Sequence, residues 1–227
     1  MNALRVVPVS GVREIKEGDD VAALVVGALS EPLADRDVVV VTQKVVSKAE
    51  GRILPESRRD EAVGTEAVRV LRRIGGMVIA ETRHGFVCAN AGIDASNVDE
   101  GTIALLPVDP DASARRIRAR VAHLTGADVG VIVSDTFGRA WRVGQTDIAI
   151  GVAGFDPFLD YRGTLDANGR ELTATQICVA DELASAAELV MGKSKGVCAA
   201  VIRGAEVRWG RASARSIVRA REQDLFR

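Results

Sequence analysis

Residues 131–147 read VIVSDTFGRAWRVGQTD, and the reading of the fold turns on how this stretch is placed. The apolar run Val129–Val133 that enters it has the length and β-branched content of a buried strand. It runs straight into Ser134, Asp135 and Thr136, then Gly138, Arg139 and Arg142. A buried strand fixes the backbone, so its end is where a carboxylate and a hydroxyl can be held rigidly at a cleft. Asp135 and Thr136 together offer oxygens suited to Mg²⁺ or Mn²⁺, and two arginines suit a fork onto phosphate oxygens. A strand end with a turn Asp and two solvated arginines accounts for the same letters. Residue chemistry alone leaves both readings open.

Upstream, Ala3–Val9 is predicted as a first strand. Gly18-Asp19-Asp20 then caps a helix whose apolar positions Val21, Leu24, Val25, Ala28 and Leu29 share one face. The four-valine run Val38–Val41 is a second buried strand. It leads into Thr42-Gln43-Lys44-Val45-Val46-Ser47-Lys48, a segment suited to a phosphate-side wall or to plain solvated lysines. Residues 56–74, with Val63, Ala67, Val70, Leu71 and Ile74 at helical spacing, predict an amphipathic helix ended by Gly75-Gly76. Met77–Ala80 and Phe86–Ala89 predict a hairpin around Arg83-His84-Gly85, with His84 a structural or solvated turn residue. In the loop NAGIDASN (90–97), Asp94 is a second acid at a strand exit. Two such acids suit a shared pair of metal ions, since hard cations take carboxylate and phosphate oxygens together. Asp109-Pro110 starts a helix that Gly126 ends.

Downstream, Ile148–Ala153 is a strand candidate, 154–171 a hairpin or excursion loop, and Thr173–Met191 a long helix. Val197–Ile202 is a last buried strand, and Ser213–Phe226 a closing basic helix. These elements describe one α+β domain over 1–227, with mixed and antiparallel sheets flanked by helices. Linkers, repeats and low-complexity tracts are missing from the sequence.

Composition excludes several classes. Thirty Lys and Arg against 31 Asp and Glu give a net charge of -1, so the basic excess of a nucleic-acid or anionic-membrane surface is missing. Aromatics at 4% argue against a base-stacking platform. Cys88, Cys178 and Cys198 are sparse and odd in number, which fits buried small side chains in a reducing compartment rather than disulfides or a thiolate zinc site. The N-terminus lacks a leader pattern and no apolar run nears the ~18 residues of a membrane span, so a cytoplasmic location is expected. Gly192-Lys193-Ser194 imitates the tail of a P-loop, but Ala187 stands where its first glycine belongs and a helix precedes it. Only a loose nucleotide contact from this helix exit survives. Two histidines make a His-centred triad improbable. Acids, an Asp-Thr pair, lysines and arginines around loops fit metal-assisted phosphoryl transfer better than acyl hydrolysis.

Five blocks in order carry a family resemblance: VVVVTQKVVSKAEGR (38–52), NAGIDASNV (90–98), LLPVDPDASA (105–114), VIVSDTFGRAWRVGQTD (131–147) and VADELASAAELVMGK (179–193). They resemble the coenzyme F420-0:L-glutamate ligases over essentially the whole chain, and the ligase half of the actinobacterial bifunctional enzyme in particular. In that enzyme a flavin-binding, nitroreductase-like domain follows; this chain is expected to lack that second activity, with such a domain as a candidate partner.

The resemblance implies GTP-dependent addition of L-glutamate to F420-0, and then to F420-1, through an acyl phosphate. It also implies an α+β fold that dimerises by intertwining two protomers. Carried over by position, Asp94 and Asp135 match the first metal site and Thr136 a ligand of the second. The implied ions are two Mg²⁺ or Mn²⁺, with K⁺ as a further candidate. Gln43, Lys48 and Asn97 match GTP contacts, and Val12, Arg13, Glu14 and Ile15 occupy the first nucleotide-binding turn, where many members have Leu-Pro in place of Val12-Arg13. Archaeal members carry a metal-binding Glu where Lys193 stands here. Arg139 and Arg142 join as phosphate clamps on charge grounds alone. Two alternatives accompany this reading: a folate γ-glutamyl ligase of the same family, and a catalytically silent GTP-binding subunit, to which Lys193 lends weight.

Overall fold

The computed structural model describes residues 3–211 and 213–225. Strand β1 (Arg5–Val9) leads to helix α1 (Val21–Gly27), strand β2 (Val38–Thr42) and helix α2 (Gln43–Ala49). Then come β3 (Ile53–Pro55), α3 (Arg59–Glu66), β4 (Ala67–Ile74), β5 (Met77–Thr82), β6 (Val87–Ala89) and β7 (Thr102–Ala104). Helix α4 (Pro110–Thr125) delivers the chain to β8 (Gly130–Arg139) and β9 (Arg142–Ala153). Short strands β10 (Phe155–Asp156), β11 (Leu159–Asp160) and β12 (Gln176–Ile177) precede α5 (Val179–Met191), β13 (Ala199–Arg203) and β14 (Arg208–Trp209).

The central sheet has the order β1-β13-β2-β8-β9; β2 and β8 run parallel and every other neighbour is antiparallel. Its strands read as continuous apolar runs because both faces are covered. Val39, Val41, Val131 and Val133 pack with Val25 of α1 and Ile117 and Val121 of α4. Val38, Val40 and Ile132 point the other way, onto Ala180, Leu183 and Ala187 of α5. A separate apolar cluster, including Val63, Ala80, Ile93 and Ile103, sits under α3 and the β4-β5-β6 sheet. The caps follow the local sequence: Asp20 accepts from the Ala23 amide, Asp109 accepts from the Ala112 amide, and Gly126 closes α4 in the left-handed conformation. The α+β expectation with mixed and antiparallel sheets therefore holds. No helix among the described residues is long and apolar enough to cross a membrane.

Four sequence expectations need correction. The stretch 131–147 is not a strand emptying into a loop: β8 continues to Arg139, turns at Ala140–Trp141 and returns as β9, with Asp135 opposite Ile148 and Thr136 opposite Asp147. The predicted helix over 56–74 is helix only as far as Glu66. Ala67–Ile74 is a strand hairpinned to β5 through Gly75-Gly76, and Gly75 has φ 57. Gly-Gly between two valine-rich runs is a hairpin signal, and it outweighs the helical spacing. The helix expected from Thr173 starts at Val179, because the preceding residues pair β12 with β11 in the excursion that follows β9. The closing helix over 213–226 forms instead two 3-10 turns, Ala214–Ile217 and Arg221–Gln223, with residue 226 outside the described residues. There Asp111 takes the Ser213 hydroxyl and the Ala214 amide, pinning the segment to α4.

Candidate active site

A cleft of about 820 Å³ opens where the parallel strands β2 and β8 end, and its volume suits a nucleotide-sized ligand. Residues 12–15, the start of α2, the loop after β6, the outer half of the β8–β9 hairpin and the segment after α5 form its walls. Asp94, Asp135, Thr136, Gln43, Lys48, Asn97 and Val12 to Ile15 all line it. Arg139 and Arg142 do not. They pair across the exposed tip of the hairpin, where Arg139 donates to the Val143 carbonyl. The outward extension of the β8–β9 hairpin carries both arginines past the cleft.

Helix α2 supplies two faces at i, i+4 spacing. Gln43 and Ser47 are buried; the Ser47 hydroxyl donates to Gln43 Oε1 at 2.8 Å and contacts the Leu105 carbonyl at 2.6 Å. Gln43 Nε2 is buried with no partner among the described residues, an amide donor left at the cleft wall. Lys44 and Lys48 project from the next face. Lys44 bonds Asp94 and the Ser96 hydroxyl, and Lys48 pairs with Glu14. Arg13 of the same first turn is engaged by Asp19 in a two-pronged pair, both contacts at 2.7 Å.

The loop carrying Asp94 is held in strained backbone: Asn90, Ala91 and Asn97 are non-glycine residues at φ 51, 53 and 54. Asp94 itself exchanges two backbone hydrogen bonds with Ala104. Burial opposes ionisation of its carboxyl, but the Lys44 ammonium and the Ser96 amide and hydroxyl prevail and hold it below its ordinary value. Asp135 shows the reverse. Burial pushes it up to about 7, with the Asp147 and Asp94 carboxylates adding to the rise and the Thr136 amide and Lys44 opposing it. Two acids from distant segments therefore feel each other across one cleft, one ionised and one poised near neutrality.

Sequence reasoning missed Asp147, which is 1% exposed. It accepts from Thr136 Oγ1 at 2.6 Å, from Ser134 Oγ at 3.3 Å and from Lys193 Nζ at 2.7 Å. Lys193 Nζ also bonds the Thr136 hydroxyl. The signal lay at the end of the opening stretch: hairpin pairing across 131–147 sets Asp147 against Thr136, whereas a loop reading leaves it unplaced. Cys88 lines the cleft as well, but burial pushes its thiol up to about 12, so it is no nucleophile. His84 lies against the Pro107 and Val108 carbonyls, outside the cleft lining.

Among the described residues no three His, Cys, Asp or Glu side chains cluster closely enough to hold an ion by themselves. Asp94, whose oxygens are bonded by Lys44 and Ser96, and Asp135 bring two carboxylates to one cleft. That suits Mg²⁺ or Mn²⁺, which fill the rest of their shell with water and phosphate oxygens.

Residues 11–69 and 55–204 match the family model described as F420-0:Gamma-glutamyl ligase. The chain belongs to this family. It is 42% identical over 251 residues to the coenzyme F420:L-glutamate ligase of Methanothermobacter thermautotrophicus, covering 99% of each chain. The coenzyme F420:L-glutamate ligase of Archaeoglobus fulgidus is 43% identical over 244 residues, 99% of this chain and 96% of its own. That of Methanopyrus kandleri is 40% identical over 248 residues, 99% and 98% of the two. The resemblance carried by the five sequence blocks holds.

Proposed function

We propose that the chain is a GTP-dependent ligase that joins L-glutamate to coenzyme F420-0, and then to F420-1, through an acyl phosphate. The observation that carries this reading is the meeting of Asp94 and Asp135 in a nucleotide-sized cleft bordered by lysines and the unpartnered Gln43 amide. Family membership and the names of the relatives support the same acceptor and donor.

A carboxylate is a poor electrophile, so the reaction needs two displacements. First a terminal carboxylate oxygen of the acceptor bonds to the γ-phosphorus while the bond to the β–γ bridging oxygen breaks, and GDP leaves. The glutamate amino group then attacks the acyl carbon, gives up a proton, and phosphate departs as the amide forms. Charge gathers on the phosphoryl oxygens, and preorganised cations stabilise it. Asp94 and Asp135 are the residues that would hold a Mg²⁺ or Mn²⁺ ion, which would supply part of that charge. The protein supplies the rest: Lys48 extends along the cleft wall from α2, and Gln43 Nε2 offers a hydrogen bond to a nucleotide acceptor. Lys44 keeps Asp94 ionised and oriented.

We infer further that the chain works as a homodimer. Val68 (70% exposed), Ile74 (61%) and Met77 (52%) of the β4–β5 hairpin, and Trp141 (74%) and Val143 (100%) at the β8–β9 tip, are apolar surface that a second copy would cover.

The test is direct: purified protein, GTP, Mn²⁺, L-glutamate and F420-0, with product read by mass spectrometry and tetrahydrofolate run in parallel. Acceptor-dependent GDP release with a glutamylated F420 product is the expected result. No product from F420-0, or a faster reaction with the folate, would overturn the assignment.

A further inference from the structure

We propose that Lys193 is a built-in cation of the cleft, occupying the place beside Thr136 and Asp147 where a second divalent ion would bind, so that the site takes a single metal ion per chain. This rests on the proposed nucleotide and metal chemistry and narrows it.

Asp147 is almost completely buried, yet its carboxylate faces the cleft rather than the core. Its acceptor positions are engaged by two hydroxyls and one ammonium. The Thr136 hydroxyl donates to Asp147 and accepts from Lys193, so the three groups form a closed triangle. A hydroxyl and a carboxylate oxygen side by side are what a hard divalent ion seeks, but an ammonium already bonds both. An ammonium and a divalent ion cannot share the same two oxygens, because each would stand within the other's first shell of ligands.

The way Lys193 reaches this point is set by the backbone. Gly192 ends α5 with φ 61, turning the chain so that the lysine head points inward while about half of its side chain stays exposed. The Lys193 carbonyl also accepts from Asn97 Nδ2 at 3.3 Å, which ties the ammonium to the loop that carries Asp94. Glu188 makes a second, longer ion pair with the ammonium at 3.8 Å, against 2.7 Å for Asp147. The two halves of the site thus differ in charge: Asp94 and Asp135 set two carboxylates against the single Lys44 ammonium, which leaves anionic charge for a mobile ion, whereas the one carboxylate of Asp147 is already matched by Lys193. A lysine charge cannot be lost by dilution or chelation, so the positive charge beside Thr136 and Asp147 is permanent.

The experiment counts ions. Mn²⁺ bound per chain is read from the loss of the free Mn²⁺ electron paramagnetic resonance signal, with a β,γ-imido analogue of GTP present, for wild type, Lys193→Glu and Lys193→Ala. The expected counts are one for wild type and two for each variant, with the second ion held more weakly in Lys193→Ala, which adds no carboxylate. Two ions in wild type would show Lys193–Asp147 to be a structural ion pair only, overturning the inference while leaving the ligase reading in place. A count that stays at one in folded Lys193→Glu or Lys193→Ala overturns it equally. If Lys193→Glu fails to fold, the wild-type and Lys193→Ala counts decide the matter. A count of zero in wild type overturns the metal-dependent reading itself, and the inference with it.

Discussion

Replacing Asp135 by Asn should stabilise the metal-free protein at neutral and alkaline pH while removing the proposed metal-dependent activity. Burial raises this carboxyl from 3.8 to about 7 in the folded chain. In the unfolded chain it ionises near its ordinary value. Between these two values the native state holds a proton that the unfolded state has released, so stability falls as pH rises through that window and the penalty is complete above about 7. A shift of about three units corresponds to about 4 kcal/mol, and the solvent that reaches this half-buried side chain reduces it to about 2–4 kcal/mol. For a chain of this size that is roughly 4–16 °C in Tm. Asn has the same shape without the charge. Thermal melts in EDTA should therefore give nearly equal Tm values for wild type and variant near pH 3.5, below the ordinary carboxyl value, and a higher Tm for the variant at pH 8. Mn²⁺ should then raise the wild-type Tm at pH 8 and leave that of the variant unmoved, and turnover should fall in the variant by roughly a hundredfold or more. Parallel pH profiles for the two proteins, or equal stabilisation of both by Mn²⁺, would refute the placement of Asp135 as a buried, charge-penalised ligand.

Gln43→Leu removes the unpartnered cleft donor at little cost in volume, so GTP affinity should weaken by about tenfold with stability changed by less than about 1 kcal/mol; unchanged GTP affinity in a binding titration would contradict this role. Gly92→Ala places a Cβ at φ 77 within 2.6 Å of the buried Leu106 side chain, two residues before Asp94. Denaturant unfolding should show a loss of about 2–3 kcal/mol, and a wild-type midpoint would show that the loop is less constrained than described. Val68→Glu combined with Ile74→Glu charges the exposed face of β4; sedimentation should show monomers with native circular dichroism, and an intact dimer would move the interface elsewhere.

The central sheet was legible because its strands announce themselves. Val38–Val41 and Val129–Val133 are short, β-branched and continuous, and burial on both faces leaves such runs few alternatives. Helices α1 and α4 were legible from their Asp caps and the Gly126 stop. Residues 67–74 were not, because Val63, Ala67, Val70, Leu71 and Ile74 happen to fit a helical stripe; what decided the matter was the long-range pairing of β4 with β5, which local spacing does not encode. Asp94, Asp135 and Thr136 could be named from their strand-exit settings and the family blocks, and the fold brings them to one cleft. Asp147 was missed and Arg139 and Arg142 were misplaced for a single reason. Reading 134–147 as a loop leaves its side chains free to point anywhere, whereas a hairpin assigns each one a face and a distance along the strand.

Asp94 and Asp135, which line one cleft from separate segments, are proposed to hold a divalent cation against the phosphates of GTP. Crystals grown with Mn²⁺ and the β,γ-imido GTP analogue, measured at the manganese absorption edge, test it most directly. The expected result is an anomalous peak about 2 Å from carboxylate oxygens of both residues and next to the terminal phosphate. A manganese peak that touches neither carboxylate, or nucleotide bound outside this cleft, would contradict it.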